Sequence, residues 1–190
     1  FRRYKHFTHE EGISAPCVVH WPATIPAGRN GGFENQPAHL ADLMATAVDV
    51  AGAKYPATRN GKPIQPMEGV SLRPAFEGKP LDRPRPLFWE HEGNRAIRDG
   101  KWKLVSKYTE PWELYDMEAD RTELRDLASQ MPDKVRELTA KWETMAKERM
   151  VEPWIGPKRL EWGNPPAAGK SGKKQAGAKG KKQVEDDEEE

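Results

Sequence analysis

The sequence predicts a mixed α/β architecture grading into α+β, and three observations carry that prediction. Residues 12–22, "GISAPCVVHWP", form a short apolar run bounded by Gly12 and Pro22, the pattern of a buried strand. Residues 39–52, "HLADLMATAVDVAG", repeat apolar side chains at helical spacing. From residue 87 the period shortens to that of β-strands, and four short runs precede one long amphipathic helix. A four-stranded antiparallel sheet with one helix across its face is a stable two-layer unit.

The first element is charged. Lys5, His6, His9, Glu10 and Glu11 fall within seven residues, without an initiator Met or a targeting stretch ahead of them. The natural N-terminus is therefore expected upstream. The cluster reads either as a solvated turn or as a metal or anion site. His6 and His9 stand at i, i+3 with no helical pattern around them, and this is not an H-E-x-x-H arrangement. Its place ahead of a core strand weighs towards function, because functional groups gather at the ends of such strands.

In the predicted strand, Ile13, Cys17, Val18, Val19 and Trp21 supply the buried side chains. The following helix aligns Leu40, Leu43, Met44, Ala47, Val48 and Ala51 on one stripe, with Asp42 and Asp49 opposite and Gly52 as its stop. Residues 53–86 are loop-rich, with "EGVSLRPAFEGK" as a short turn and helix. The β-prone runs are "PLFWEHE", "RAIRDG", "KWKLVSK" and "WELYDM", separated by turn sequences short enough for a meander. In "PDKVRELTAKWETMAKERM" the residues Val135, Leu138, Trp142 and Met145 make an apolar stripe, and Pro132 suits the first helical turn. Trp102, Trp112 and Trp142 are expected in the core of this unit.

Composition limits the function classes. Of the 190 residues, 36% are hydrophobic and 32% charged, polar enough that part of the chain is expected to be disordered. That part is residues 163–190, lysine-rich and then acidic ("EDDEEE"). The tail either solvates the protein or binds nucleic acid or an acidic surface electrostatically. Elsewhere the charge is mixed, with no basic field suited to nucleic acid. No apolar stretch reaches the roughly 18–20 residues of a membrane helix. Cys17 is the only cysteine, which excludes an intrachain disulfide.

"YKHFTHEEGISAPCVVHWP" resembles the segment of the sulfatase family, arylsulfatase type, that reads K-G-x-x-x-E-G-G-x-R-x-P before an apolar strand and W-P-G. Lys5, Glu10, Gly12, Pro16 and Trp21-Pro22 match. "HLADLMATAVDVAGA" is similar to the family's h-x-D-l-x-P-T-l-l-d-l-a-G helix, and "MEGVSLRPAFEGK" to its D-G-x-S-L-x-P-x-L-x-G element. "NRAIRDGKWKLV" and "WELYDMEADRTELRDLA" resemble the family's C-terminal subdomain. Five motifs in the family's order span residues 1 to 155. Glu11, Ser14, Ala45 and Arg121 depart from it, standing where Gly, Arg, Pro and Pro are usual. Glu11 is the departure expected to disturb the turn that presents Lys5, since glycine takes backbone angles that Glu resists.

The resemblance implies the end of a large alkaline-phosphatase-like α/β domain (residues 1–86), a small antiparallel subdomain with its helix (87–155), and a linker and tail (156–190). It implies a sulfuric ester hydrolase using a formylglycine nucleophile and a divalent cation, calcium, with neither the modified residue nor the metal ligands in this chain, so that the chain alone is expected to be inactive. Cys17, in "C-V-V-H-W", fails the C/S-x-P-x-R requirement and is expected to be a small buried hydrophobe. Lys5 matches the lysine that binds the sulfate group. Glu10 is expected to support its turn through hydrogen bonds to backbone or basic groups. His91 and Asn94 read either as a plain turn or as a hairpin tip over the cleft that contacts the ester's organic part, with His9 near the same pocket. The implied partner is a small sulfate ester or a sulfated carbohydrate, and the implied compartment is periplasmic or extracellular. A phosphoesterase such as a phosphonate monoester hydrolase of the same superfamily is the nearest rival reading. A non-catalytic protein binding through its charged tail is another. Oligomeric state stays open.

Overall fold

The computed structural model describes residues 2–155, so the lysine-rich and acidic tail lies outside the described residues. In chain order the elements are α1 (Glu10–Ile13), a 3-10 turn (Ala27–Arg29), α2 (Leu40–Val50), the two-residue strands β1 (Thr58–Arg59) and β2 (Lys62–Pro63), and α3 (Arg73–Phe76). Then come β3 (Leu87–His91), β4 (Asn94–Asp99), β5 (Trp102–Ser106), β6 (Glu113–Asp116) and α4 (Pro132–Glu148).

The four predicted runs form an antiparallel meander, β3-β4-β5-β6. Its register sets Phe88 opposite Ile97, Ile97 opposite Leu104, and Leu104 opposite Leu114. That row is one face of the sheet, and α4 covers it with Leu138, Trp142, Met145 and Ala146. The stripe spacing explains the fit, since these positions recur on one side of a 3.6-residue helix. Pro132 opens α4, where its missing N–H costs nothing. Trp142 stacks on Phe88 at 5.4 Å and donates its indole N–H to the Trp89 carbonyl at 3.2 Å. Trp102 and Trp112 pack against the same core, as expected.

The opposite face is buried as well. Ala96, Val105, Tyr115 and Met117 form a second cluster, with Lys103 fully buried among the same strands. Two-sided burial explains why Lys103, Leu104, Val105 and Ser106 are buried consecutively, without polar alternation.

α2 forms where expected, but its apolar stripe faces outwards. Leu40 is 79% exposed and Met44 59%, whereas Asp42 and Ala45 are buried. Polar ties decide the orientation. Asp42 caps the helix by accepting from the His39 N–H (2.7 Å), and also accepts from the Val70 N–H (2.9 Å) and from both terminal nitrogens of Arg83 (3.2 and 2.6 Å). Thr46 Oγ1 accepts from the Leu72 N–H at 2.9 Å. Gly69 is required where this loop crosses α2, because a Cβ there would sit 2.3 Å from the Ala41 carbonyl oxygen.

The strand expected at residues 12–22 is corrected. Its first residues belong to α1, and the remainder is irregular and exposed, with Val18 94% accessible and Cys17 on the surface rather than buried. A strand needs a neighbour for its N–H and C=O groups, and among the described residues none pairs with this segment. Trp21 instead packs edge-on against Phe76.

Candidate functional site

Lys5 lies in a turn closed by the N–H groups of His6 and Phe7, both donating to the Tyr4 carbonyl at 3.0 Å. The left-handed backbone this turn needs falls on Arg3 (φ 65°). Glu11 has no such strain, since it lies in α1 and is not among the positive-φ residues. The disturbance expected from Glu11 is therefore absent. Glycine is demanded one position later, where a Cβ on Gly12 would meet the Phe7 carbonyl oxygen at 2.0 Å.

A buried network of charges seats this turn on the second face of the sheet. Lys103 Nζ lies 2.6 Å from Glu123 and 3.3 Å from Glu10, whose second oxygen faces Arg121 at 3.7 Å. Glu123 accepts the Glu10 N–H at 2.9 Å from a left-handed backbone (φ 56°). Glu113 accepts from His9 Nε2 (3.0 Å), the Tyr115 hydroxyl (2.9 Å) and Arg2 (3.1 Å). The His9 hydrogen bond, with those from Tyr115 and Arg2, outweighs burial and lowers the Glu113 carboxyl from 4.5 to about 2. Burial, and the hydrogen bond to Glu113, push the Tyr115 phenol upwards. Glu10 thus holds Lys103 and the turn, in the supporting place expected of it.

His9, expected near the substrate pocket, is 1% exposed with its Nε2 held by Glu113, so it anchors the turn from behind. Asn94, expected at a hairpin tip over the cleft, is also buried. Only 5% exposed, it donates Nδ2–H to the carbonyls of His6 (2.7 Å) and His91 (3.0 Å) and accepts the Tyr108 N–H (3.1 Å). It clamps the β3–β4 hairpin to the Lys5 turn. Lys5 and His91 remain exposed, and His6 stacks on His91 with ring centroids 5.7 Å apart. Among the described residues Lys5 has no carboxylate partner. Lys5 thus offers an exposed ammonium able to meet an anion, while the neighbouring His6 and His91 imidazoles face the Glu92 carboxylate at 3.1 and 4.0 Å.

Sequence reasoning missed Arg2, Lys103, Glu113 and Glu123, because isolated charges read as solvated. One available signal was the placement of Lys103 in "WKLV", on the same side of a predicted strand as Val105.

Calcium and a formylglycine fit poorly with the side chains present. Among the described residues the one group of three or more His, Cys, Asp or Glu side chains close enough to share an ion is His6, His91 and Glu92. Calcium takes six to eight oxygen ligands, not imidazoles. Cys17 lacks the Pro and Arg spacing of the modification motif. No helix among the described residues is long and apolar enough to cross a membrane.

The comparisons with known proteins agree with the order of motifs. A family model described as "N-sulphoglucosamine sulphohydrolase, C-terminal" matches residues 3–150. An uncharacterized sulfatase of Schizosaccharomyces pombe is 30% identical over 148 residues, covering 74% of this chain and 26% of that protein. The choline-sulfatase of Rhizobium meliloti is 31% identical over 125 residues, 63% of this chain and 22% of the relative. Among solved structures, Ps i-CgsB superposes with a TM-score of 0.54 at 25% identity, over 67% of this chain and 27% of that one. This chain thus spans about a quarter of the length of the curated relatives it matches. It belongs to the sulfatase family and carries that family's C-terminal domain.

Proposed function

We propose that this chain is the C-terminal part of a sulfuric ester hydrolase in which Lys5 grips the sulfate group. The observation that carries the reading is the placement of Lys5. Its motif matches it to the family's sulfate-binding lysine, and it is exposed on a turn supported by the close packing at Gly12 and by Glu10 with the buried charges behind it. A sulfate ester is already anionic, and further charge develops on oxygen as the S–O bond breaks. A seated ammonium with three donors stabilises that charge, and a single preorganised donor of this kind contributes about 10²–10³ in rate. His91, exposed at the end of β3, contacts the organic part of the ester in this reading. His9 and Asn94 position the turn and the hairpin.

The formylglycine nucleophile and the divalent metal, calcium in the family, are assigned to polypeptide outside residues 1–190. The same assignment accounts for the outward-facing stripe Leu40, Leu43 and Met44, and for exposed Val18 and Val19. These would be covered by the rest of the α/β domain. The substrate is a small sulfate ester or a sulfated carbohydrate. Supporting this are the relatives named choline-sulfatase and N-acetylglucosamine-6-O-sulfatase, and the Ps i-CgsB complex with a neocarrahexaose, 26% identical at a TM-score of 0.53. An exported protein, periplasmic or secreted, is the matching compartment.

The test compares two proteins on aryl sulfate and aryl phosphate. The 190-residue chain alone is expected to turn over neither. A polypeptide joining it to a nucleophile-bearing sulfatase region is expected to prefer the sulfate ester. Turnover by the chain alone would contradict the assignment of the nucleophile elsewhere, and a preference for phosphate would move the protein among the phosphoesterases.

A further inference from the structure

Three side chains meet between the Lys5 turn and the hairpin tip. His6 Nδ1 lies 3.1 Å from Glu92 Oε2, and His91 Nε2 lies 4.0 Å from that oxygen. One ligand atom from each residue fits within a 4.8 Å spread. The three are partly exposed, and His6 also lies edge-on to the Tyr4 ring at 6.3 Å.

Their backbones are not free. Asn94 binds the carbonyls of both His6 and His91 from a buried position, fixing two segments that are far apart in sequence. Glu92 and Gly93 both take left-handed conformations (φ 54° and 77°), the paired positive angles of a tight hairpin turn. That turn swings the Glu92 carboxylate back over His6. Gly93 is confined by the Tyr108 ring, 2.4 Å from where a Cβ would stand, so the tip cannot readily adopt another shape.

We propose that His6, His91 and Glu92 form a binding site for a first-row divalent cation of intermediate softness, with Zn²⁺ the best-fitting member. A tetrahedral zinc site with bonds of about 2.0–2.2 Å needs ligand atoms about 3.3 Å apart. The His6–Glu92 pair already has that spacing, and the His91 imidazole closes the remainder by side-chain rotation. Two imidazoles and one carboxylate select against calcium and magnesium, which take oxygen ligands. Water completes the fourth position. Such an ion would staple the hairpin tip to the turn and hold His6, next to Lys5, in place. The proposal depends on this geometry and not on the sulfatase reading.

The probe is ZnCl₂ titrated calorimetrically into the full 190-residue chain, with Co²⁺ visible absorption as a second readout and CaCl₂ as the contrast. One Zn²⁺ per chain is expected, and Co²⁺ bands typical of imidazole ligation. His6→Gln and His91→Gln should each weaken binding at least tenfold, and Glu92→Gln should weaken it measurably. His20→Gln, at an exposed position outside the cluster, should leave it unchanged. Zinc should also slow amide exchange at residues 4–7 and 91–94. Circular dichroism confirms that each variant folds. Absence of zinc binding, or binding undiminished in both His6→Gln and His91→Gln, would overturn the proposal.

Discussion

Replacing Glu113 with Gln removes the charge on which His9, Arg2 and Tyr115 converge. The carboxyl is held at about 2 instead of 4.5, so the surroundings favour its ionised form by about 3 kcal/mol. This is an upper value, since 23% of the side chain meets solvent. A carboxyl with a lowered folded-state value binds fewer protons in the native state than in the unfolded one. Its contribution is therefore complete above pH 4.5 and is lost as pH falls through 4.5 towards 2. Glu113→Gln should cost up to about 3 kcal/mol at neutral pH, and the gap from wild type should close across that acid window. Urea unfolding of both proteins at several pH values, followed by tryptophan fluorescence, measures the gap. Amide exchange at residues 4–12 should accelerate in the variant at neutral pH, because His9 and Arg2 lose their common anchor. A gap that stays constant from neutral pH to pH 3 would refute the linkage between this carboxylate and the seating of the turn.

Other perturbations probe the same architecture. Lys103→Met strands the carboxylates of Glu10 and Glu123 in the interior and should cost about 3–5 kcal/mol in denaturant unfolding, with a loss under 1 showing that water reaches them. Gly12→Ala pushes a methyl into the Phe7 carbonyl and should cost about 2 kcal/mol or more, whereas Glu11→Gly should change stability by less than about 1. The double change Leu43→Ser with Met44→Ser should lower dye binding and self-association of the chain without destabilising it. A drop of several kcal/mol in that variant would show the stripe to be buried within the chain itself.

The small sheet and α4 were legible because their signals are local. Alternating runs separated by turn residues specify a meander, and Val135, Leu138, Trp142 and Met145 specify the covering face. α2 was legible as a helix but not in orientation. Its apolar stripe predicts burial, while its capping carboxylate, Asp42, binds Arg83 and the loop at Val70 and so turns the opposite side inwards. Residues 14–22 keep the composition of a core strand, yet composition cannot supply the neighbouring strand that hydrogen bonding requires. In the site, Lys5 was visible only through the order of motifs around it. The roles of His9 and Asn94 were not visible, since their partners lie about a hundred residues away in one case and in two separate segments in the other. Long-range convergence of charges leaves no periodic trace.

The central claim is that Lys5 binds sulfate in the transition state, and Lys5→Ala in the joined polypeptide tests it most directly. With a sulfate ester as substrate, kcat/KM should fall about 10²–10³-fold, while thermal unfolding stays unchanged because the side chain is exposed and unpaired among the described residues. Retention of wild-type kcat/KM in a folded Lys5→Ala protein would contradict it.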